Sequence, residues 1–361
     1  MLYLQREELL RPPHGLPPAT DCPFSDIQTA QDVLMAQEAE ASLDISDSTL
    51  GSDESTYTES LRSSLLQSVR ENGRAYHRYR DGHYILPDDE RERDRLDMQH
   101  EMCLRTFGRK LILAPIENHS INNVLDIGTG TGIWAIDFAD EHPESNVIGT
   151  DLSPMQPTLT PPNCRFIVDD FEDQWSWTDN FDLVHGRMLL TSFRDGKRLI
   201  QQAYDSLKPG GWLEIQDVLM PVTSDDDSMK GSSFAQWQDL FFEATRKIGR
   251  DPEDVGKYDQ WMREVGFQDV ARLSYKWPQN PWPKDSFLKE MGAWNLVNIL
   301  DGLEGFTLRP FMEILGMSFD DVQVLLAKAK QDVKNRHIHA YWNVFVFGVP
   351  PRSWSSKLTP T

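Results

Sequence analysis

The stretch Val124-Leu-Asp126-Ile-Gly128-Thr-Gly130-Thr-Gly132-Ile-Trp134 runs an apolar strand into a glycine-rich turn and then into a helix. Working outward, Asn146–Thr150, Arg165–Val168, Phe181–His185 and Trp212–Gln216 read as four more short apolar strands. Helical spacing separates them, over Ile133–Glu141 and over Lys197–Leu207, which Lys208-Pro-Gly-Gly211 stops. Further on come helices at Ser233–Lys247 and Tyr258–Val265, a strand near Val270–Trp277, more helices to Arg336, and an apolar strand at Asn343–Gly348. Strands that alternate with helices predict an α/β fold: a doubly wound, mostly parallel, seven-stranded, Rossmann-like sheet. That domain is expected over 121–349, with an inserted helical lid at about 220–335.

Upstream the character changes. Asp88-Asp-Glu-Arg-Glu-Arg-Asp94 sets acids at the positive end of a helix whose stripe is Leu96, Cys103, Leu104 and Phe107. One or two helices are therefore expected to form an N-terminal cap over 69–120. Residues 1–68 hold three arginines against twelve acids and, around Ser42–Ser64, almost no aromatic residues. Such a segment buries too little apolar surface to offset its ordering entropy, so an acidic, disordered tail is expected there, with a short helix around Ile27–Leu43 as its one ordered element. Residues 350–361 are expected to be flexible.

The chain has 361 residues and a formal net charge of −21. So much negative charge argues against direct nucleic-acid binding. Its apolar runs are too short to span a membrane. Three scattered cysteines form neither a disulfide framework nor a zinc motif, and no metal site is expected. The first eight residues lack the basic and apolar regions of a secretory leader, so a cytoplasmic protein is expected.

The glycine loop narrows the ligand. Glycines permit positive φ and close backbone approach, and a helix start offers amide donors. Dinucleotides and S-adenosylmethionine both use this arrangement. The dinucleotide fingerprint G-x-G-x-x-G fails, and Asp126 would repel a pyrophosphate yet suit a cationic amino group. Asp151, at the end of the second strand, is placed to accept from ribose hydroxyls. Asp170 and Phe171 end the third strand, where an adenine is expected, and His185-Gly-Arg187 ends the fourth, facing the reacting sulfonium.

With these residues the chain resembles class I S-adenosylmethionine-dependent methyltransferases and, within them, the fungal LaeA-like group. The closer match is carried by Gly73-Arg-Ala-Tyr-His77, Leu86-Pro-Asp-Asp-Glu90, Asp94-Arg-Leu-Asp97, Gln99-His100, Gly128–Ala135, Asp151–Pro157, Asn280-Pro-Trp-Pro283 and His339-Ala-Tyr341. The resemblance implies a methyltransferase with S-adenosylmethionine held by Asp126, Gly128, Thr129, Gly130, Gly132, Asp151, Leu152, Asp170, Phe171, His185 and Arg187. It also implies a small-molecule acceptor from secondary metabolism. The alternative it carries is a nuclear regulator working through a protein partner.

A hydroxyl acceptor would want a general base, for which His185 is the first candidate, followed by Tyr76 and His77 folding over the cofactor. His185 reads equally well as a cofactor contact, and Arg80 would face the cofactor carboxylate. Trp175, Trp177, Trp277, Trp282 and Trp294 are candidates for an aromatic pocket, and Trp294, Phe306 and Phe311 make the segment Trp282–Arg309 and its flank suited to an apolar acceptor. Glu214 and Gln216 alternate on the fifth strand, so one face of it is expected to reach the site.

Overall fold

The computed structural model describes residues 68–77, 85–116 and 120–349. Of the tail expected over 1–68, residues 1–67 lie outside the described residues, as do its helix around Ile27–Leu43, Arg80 and the segment 350–361, while Ser68 opens a strand.

The cap begins as strands rather than helices. β1 (Ser68–Glu71) and β2 (Arg74–His77) form an antiparallel hairpin. Asn72 and Gly73, at φ 51° and 81°, make the turn, and both left-handed residues match the twist a two-residue hairpin needs. One helix follows, α1 (Glu90–Thr106), capped by Asp89, whose carboxylate accepts from the Glu92 N–H at 3.1 Å and from Arg74 at 2.6 and 2.8 Å. This cap welds hairpin to helix.

The main sheet comprises β3 (Asn123–Ile127), β4 (Asn146–Asp151), β5 (Cys164–Val168), β6 (Phe181–Arg187), β7 (Leu207–Ser224), β8 (Ala271–Pro278) and β9 (Ala340–Val349). Their order is β5-β4-β3-β6-β7-β9-β8; β5 through β7 run parallel, and β9 is antiparallel to both its neighbours. This is the expected seven-stranded, mostly parallel sheet. The helices are α2 (Ile133–Glu141), α3 (Gly196–Ser206), α4 (Ser233–Lys247), α5 (Tyr258–Val265), α6 (Ser286–Gly302) and α7 (Phe319–Lys334). β7 extends back through Lys208-Pro-Gly-Gly211, where its register with β6 shifts, so those residues belong to the strand as well as ending α3.

Successive strand residues feed opposite cores. Val124, Val147, Leu183 and Trp212 pack with Trp134 and Phe138 of α2 on one face. Leu125, Val184 and Leu213 pack with Leu199, Tyr258 and Met262 of α3 and α5 on the other. A third core joins α4, α6 and α7 through Trp237, Phe241, Ile299, Phe311 and Leu326, beside the far end of β7. β8 falls within the stretch read as a helical lid and divides it, so α4 and α5 precede an edge strand and α6 and α7 follow it.

The chain passes from β3 outward to β4 and β5, then returns to β6 on the other side of β3. The carboxyl ends of β3 and β6 therefore flank the point where strand order reverses, the place where such sheets bind ligands.

Candidate active site

Gly128, Gly130 and Gly132 all have positive φ (63°, 58° and 81°). A Cβ on Gly132 would lie 2.4 Å from the Phe166 ring, and one on Gly128 would lie 2.8 Å from Leu189. The loop is thus fixed both by conformation and by what presses on it. Thr129 N–H donates to the Thr150 carbonyl, and Gln156 donates to the Gly130 carbonyl at 2.6 Å. Asp151 closes the other side, accepting from the N–H groups of Gly130 at 2.8 Å and Ser153 at 2.9 Å. Burial pushes the Asp151 carboxyl up to about 6, against the pull of those two N–H groups.

Asp126, His185 and Glu214 are register partners on β3, β6 and β7, so they form one row across the sheet. His185 is fully buried and stacks on Trp134, with ring centroids 3.6 Å apart and planes 5° from parallel. Its Nδ1–H donates to Asp126 Oδ1 at 2.7 Å, while Asp126 Oδ2 accepts from the Thr129 hydroxyl at 2.5 Å. Desolvation lowers the His185 pKa against the opposing pull of Asp126 and of the Gln216 side chain. Asp126 thereby spends one lone pair on His185 and one on Thr129.

Glu214 and Gln216 line neither cavity, although the Gln216 side chain interacts with His185. Glu214 accepts from the N–H groups of Leu113 and Ala114, and Gln216 donates to the Leu111 carbonyl and to Glu214. Together they fasten the segment before β3 across the sheet.

Helix α1 packs against the loop. Leu96 packs over Gly130, and Asp97 accepts from the Thr131 hydroxyl at 2.6 Å. Arg187 donates to His100 Nδ1 at 2.9 Å, and His100 Nε2 in turn meets Asp137 at 2.9 Å. A cavity results, lined by Leu96, Gln99, Asp126, the glycine loop, Trp134, His185, Arg187 and Met188.

A second cavity, mainly apolar, adjoins it and shares Leu96, Gln99 and Met188 with it. Its further walls include Val218, Met220, Trp237, Phe241, Trp277, Phe306 and Trp342. The charged residue in its lining is Arg95, already bound to Glu92 at 2.7 Å and to Asn298 at 2.7 Å. Asp170 and Phe171 lie at neither: both are buried and border a separate polar cavity with Arg194 and Arg198, although Phe171 also lies 3.6 Å from the position of a Gly128 Cβ. Leu152, half-buried, follows Asp151 directly.

The general-base expectations fare unevenly. Tyr76 lines neither cavity: it is buried with the Arg309 guanidinium 3.9 Å from its ring centroid, its hydroxyl has no partner, and burial pushes its pKa up to about 12. A phenol so placed is a poor base. His77 ends β2, and its side chain lies outside what the structure describes. His185 lines the glycine-loop cavity and not the apolar one. Of the tryptophans, Trp277 lines the apolar cavity. Trp294 is half-buried against Arg105, 4.8 Å from its guanidinium, and Trp282 meets His339 with ring centroids 4.9 Å apart and planes tilted by 39°. Trp175 and Trp177 pack on the α3 and α5 side, and Phe311 is core. Trp237, Phe241 and Trp342, which do line the cavity, were missed; apolar residues spaced along α4 and β9 carry no mark that separates pocket from core. No helix among the described residues is long and apolar enough to cross a membrane.

The sequence model of the Methyltransferase domain matches residues 67–272. The chain is similar to Methyltransferase pytC of Aspergillus terreus, 40% identical over 289 residues that cover 80% of this chain and 89% of that protein. It is also similar to Secondary metabolism regulator laeA of Aspergillus fumigatus, 36% identical over 277 residues, 75% of this chain and 74% of that one. Among solved structures, phosphoethanolamine N-methyltransferase 2 of Haemonchus contortus, in complex with phosphomonomethylethanolamine and S-adenosylhomocysteine, aligns with a TM-score of 0.43 at 16% identity, covering 91% of this chain and 82% of that one.

Proposed function

Because the chain belongs to the S-adenosylmethionine-dependent methyltransferases, we propose that it transfers the methyl group to a small, apolar molecule of fungal secondary metabolism. The observation that carries this reading is the apolar cavity, which meets the glycine-loop cavity along the shared wall of Leu96, Gln99 and Met188. A methyl donor in one and an acceptor in the other would face each other across that wall.

The glycine-loop cavity suits the cofactor chemically. Gly128 and Gly130 bring bare backbone to its wall, Arg187 offers a guanidinium to a carboxylate, and Asp126 offers negative charge to an ammonium. Asp151 would take the ribose hydroxyls beside Leu152. Thr129, Gly130 and His185 would complete the wall, whereas Asp170 and Phe171 border a separate cavity. When bound, S-adenosylmethionine supplies an activated methyl on a sulfonium. His185 then acts as a positioning residue, fixing the Asp126 carboxylate rather than taking an acceptor proton. Since, among the described residues, no carboxylate, imidazole, phenol, thiol or amine lines the apolar cavity, its contribution is orientation and exclusion of water.

Asp151→Ala tests the cofactor site. S-adenosylmethionine binding by titration calorimetry should weaken by about 1–3 kcal/mol. In the wild type it should weaken below about pH 6, where Asp151 gains a proton and loses its free acceptor. Acceptor class is tested with S-adenosylmethionine labelled at the methyl group and an extract of fungal culture. Label in the solvent-extractable fraction supports this reading; label confined to protein refutes it. The similarity to laeA favours a second reading, a regulator held by a protein partner, and a stable partner recovered from nuclear extract would support that instead.

A further inference from the structure

The apolar cavity carries a more specific statement about its occupant, one that rests on the methyltransferase reading above. Aromatic and thioether side chains, among them Trp237, Phe241, Trp277, Phe306, Met188 and Met220, share its wall with aliphatic ones. Polar groups are few, and most are already engaged. Arg95 is bound to Glu92 and Asn298, Asn298 donates to Asn295, and Asn295 donates to the carbonyls of Trp277 and Pro278. The Trp277 indole N–H donates to Thr106 at 2.8 Å, and that of Trp237 to Thr307 at 2.8 Å.

Two groups stand apart. The indole N–H of Trp342, on β9, is buried and has no acceptor among the described residues. Gln99, half-buried where the two cavities meet, makes no hydrogen bond among the described residues. An indole nitrogen donates and never accepts, so whatever satisfies Trp342 must present a lone pair. A charged occupant would lose its hydration with no free counter-charge in the wall to replace it.

We propose that this cavity takes an uncharged, flat, aromatic-bodied acceptor bearing a carbonyl or ether oxygen, which the Trp342 indole N–H recognises. A buried donor left unpaired by the wrong ligand penalises that ligand, so Trp342 sorts molecules by the presence of the oxygen as well as by shape. Gln99, able both to donate and to accept, steadies the polar edge of the acceptor at the methyl-transfer end.

The test uses the full chain saturated with S-adenosylhomocysteine and three probes of one shape: 2-acetylnaphthalene, 2-ethylnaphthalene and 2-naphthoate. Dissociation constants come from ligand-observed NMR. The acetyl probe should bind about tenfold more tightly than the ethyl probe, the worth of one hydrogen bond, and the naphthoate more weakly than either. Trp342→Phe, which keeps a ring and removes the N–H, should bring acetyl and ethyl probes to equal affinity. Equal affinities in the wild type, tightest binding of the naphthoate, or a Trp342→Phe variant that loses both neutral probes alike would each overturn the proposal. The wild-type comparison stands even where the variant folds poorly. Failure to bind S-adenosylhomocysteine would instead tell against the methyltransferase site itself, so the two failures are separable.

Discussion

Single residues decide whether the glycine loop exists. Gly130 and Gly132 both sit at positive φ, but an added Cβ meets Leu96 at 3.6 Å in the first and the Phe166 ring at 2.4 Å in the second. Gly130→Ala should therefore cost about 1–2 kcal/mol, the left-handed strain alone. Gly132→Ala should cost about 2–4 kcal/mol, because a rigid ring must also move. Urea denaturation of both variants checks this, and equal losses would mean that Phe166 yields freely. Gly128, Gly130, Asp126 and His185, which line the glycine-loop cavity, could be singled out from sequence because they stand at fixed offsets from strand ends. The bonds between them could not. His185 lies 59 residues from Asp126 in the chain, and only the parallel register of β3 with β6 brings them together. The same blindness made Tyr76 look like a base, when burial and Arg309 define its surroundings.

At the scale of elements, alternation was legible and the cap was not. Helices α4 and α5 lie where helical spacing puts them, at Ser233–Lys247 and Tyr258–Val265. The hairpin β1–β2 went unread although Asn72-Gly73 is a strong turn signal, because its strands are four residues each and flanked by charge. Its attachment to α1 runs through Asp89, which caps the helix and holds Arg74, itself buried, at 2.6 Å. Asp89→Ala removes the cap and leaves a buried guanidinium unpaired. A loss of about 2–4 kcal/mol is expected, together with weaker S-adenosylmethionine binding, since α1 roofs the glycine loop. Thermal melts and titration of one preparation measure both, and a stability change under 1 kcal/mol would show that water replaces Asp89 at little cost.

For the molecule as a whole, buried acids set the response to pH. Burial pushes Asp217 up to about 7 and Glu214 up to about 6, although Asp217 accepts from Tyr258 and Glu214 from two backbone N–H groups. Carboxyls in the unfolded chain titrate near 4, so the folded chain holds extra protons from there up to about pH 7. The stability these acids contribute is full below about pH 4 and is lost as pH rises through 6 and 7. Asp217→Asn should therefore show a smaller change of melting temperature between pH 4.5 and 7.5 than the wild type, whatever its absolute stability. Parallel curves would show that Asp217 ionises as freely in the fold as outside it. The placement of β9 between β7 and β8 has a consequence for synthesis. The strands that carry the glycine loop, Asp151 and Arg187 are complete once residue 187 has been translated, whereas β8 waits for Ala340–Val349 before it has a neighbour in the sheet. Trp342 arrives with that same late strand. A nascent chain stalled before β9 would thus own the parts of the cofactor side and lack a wall of the acceptor side, so the ribosome delivers the donor half of the active site first.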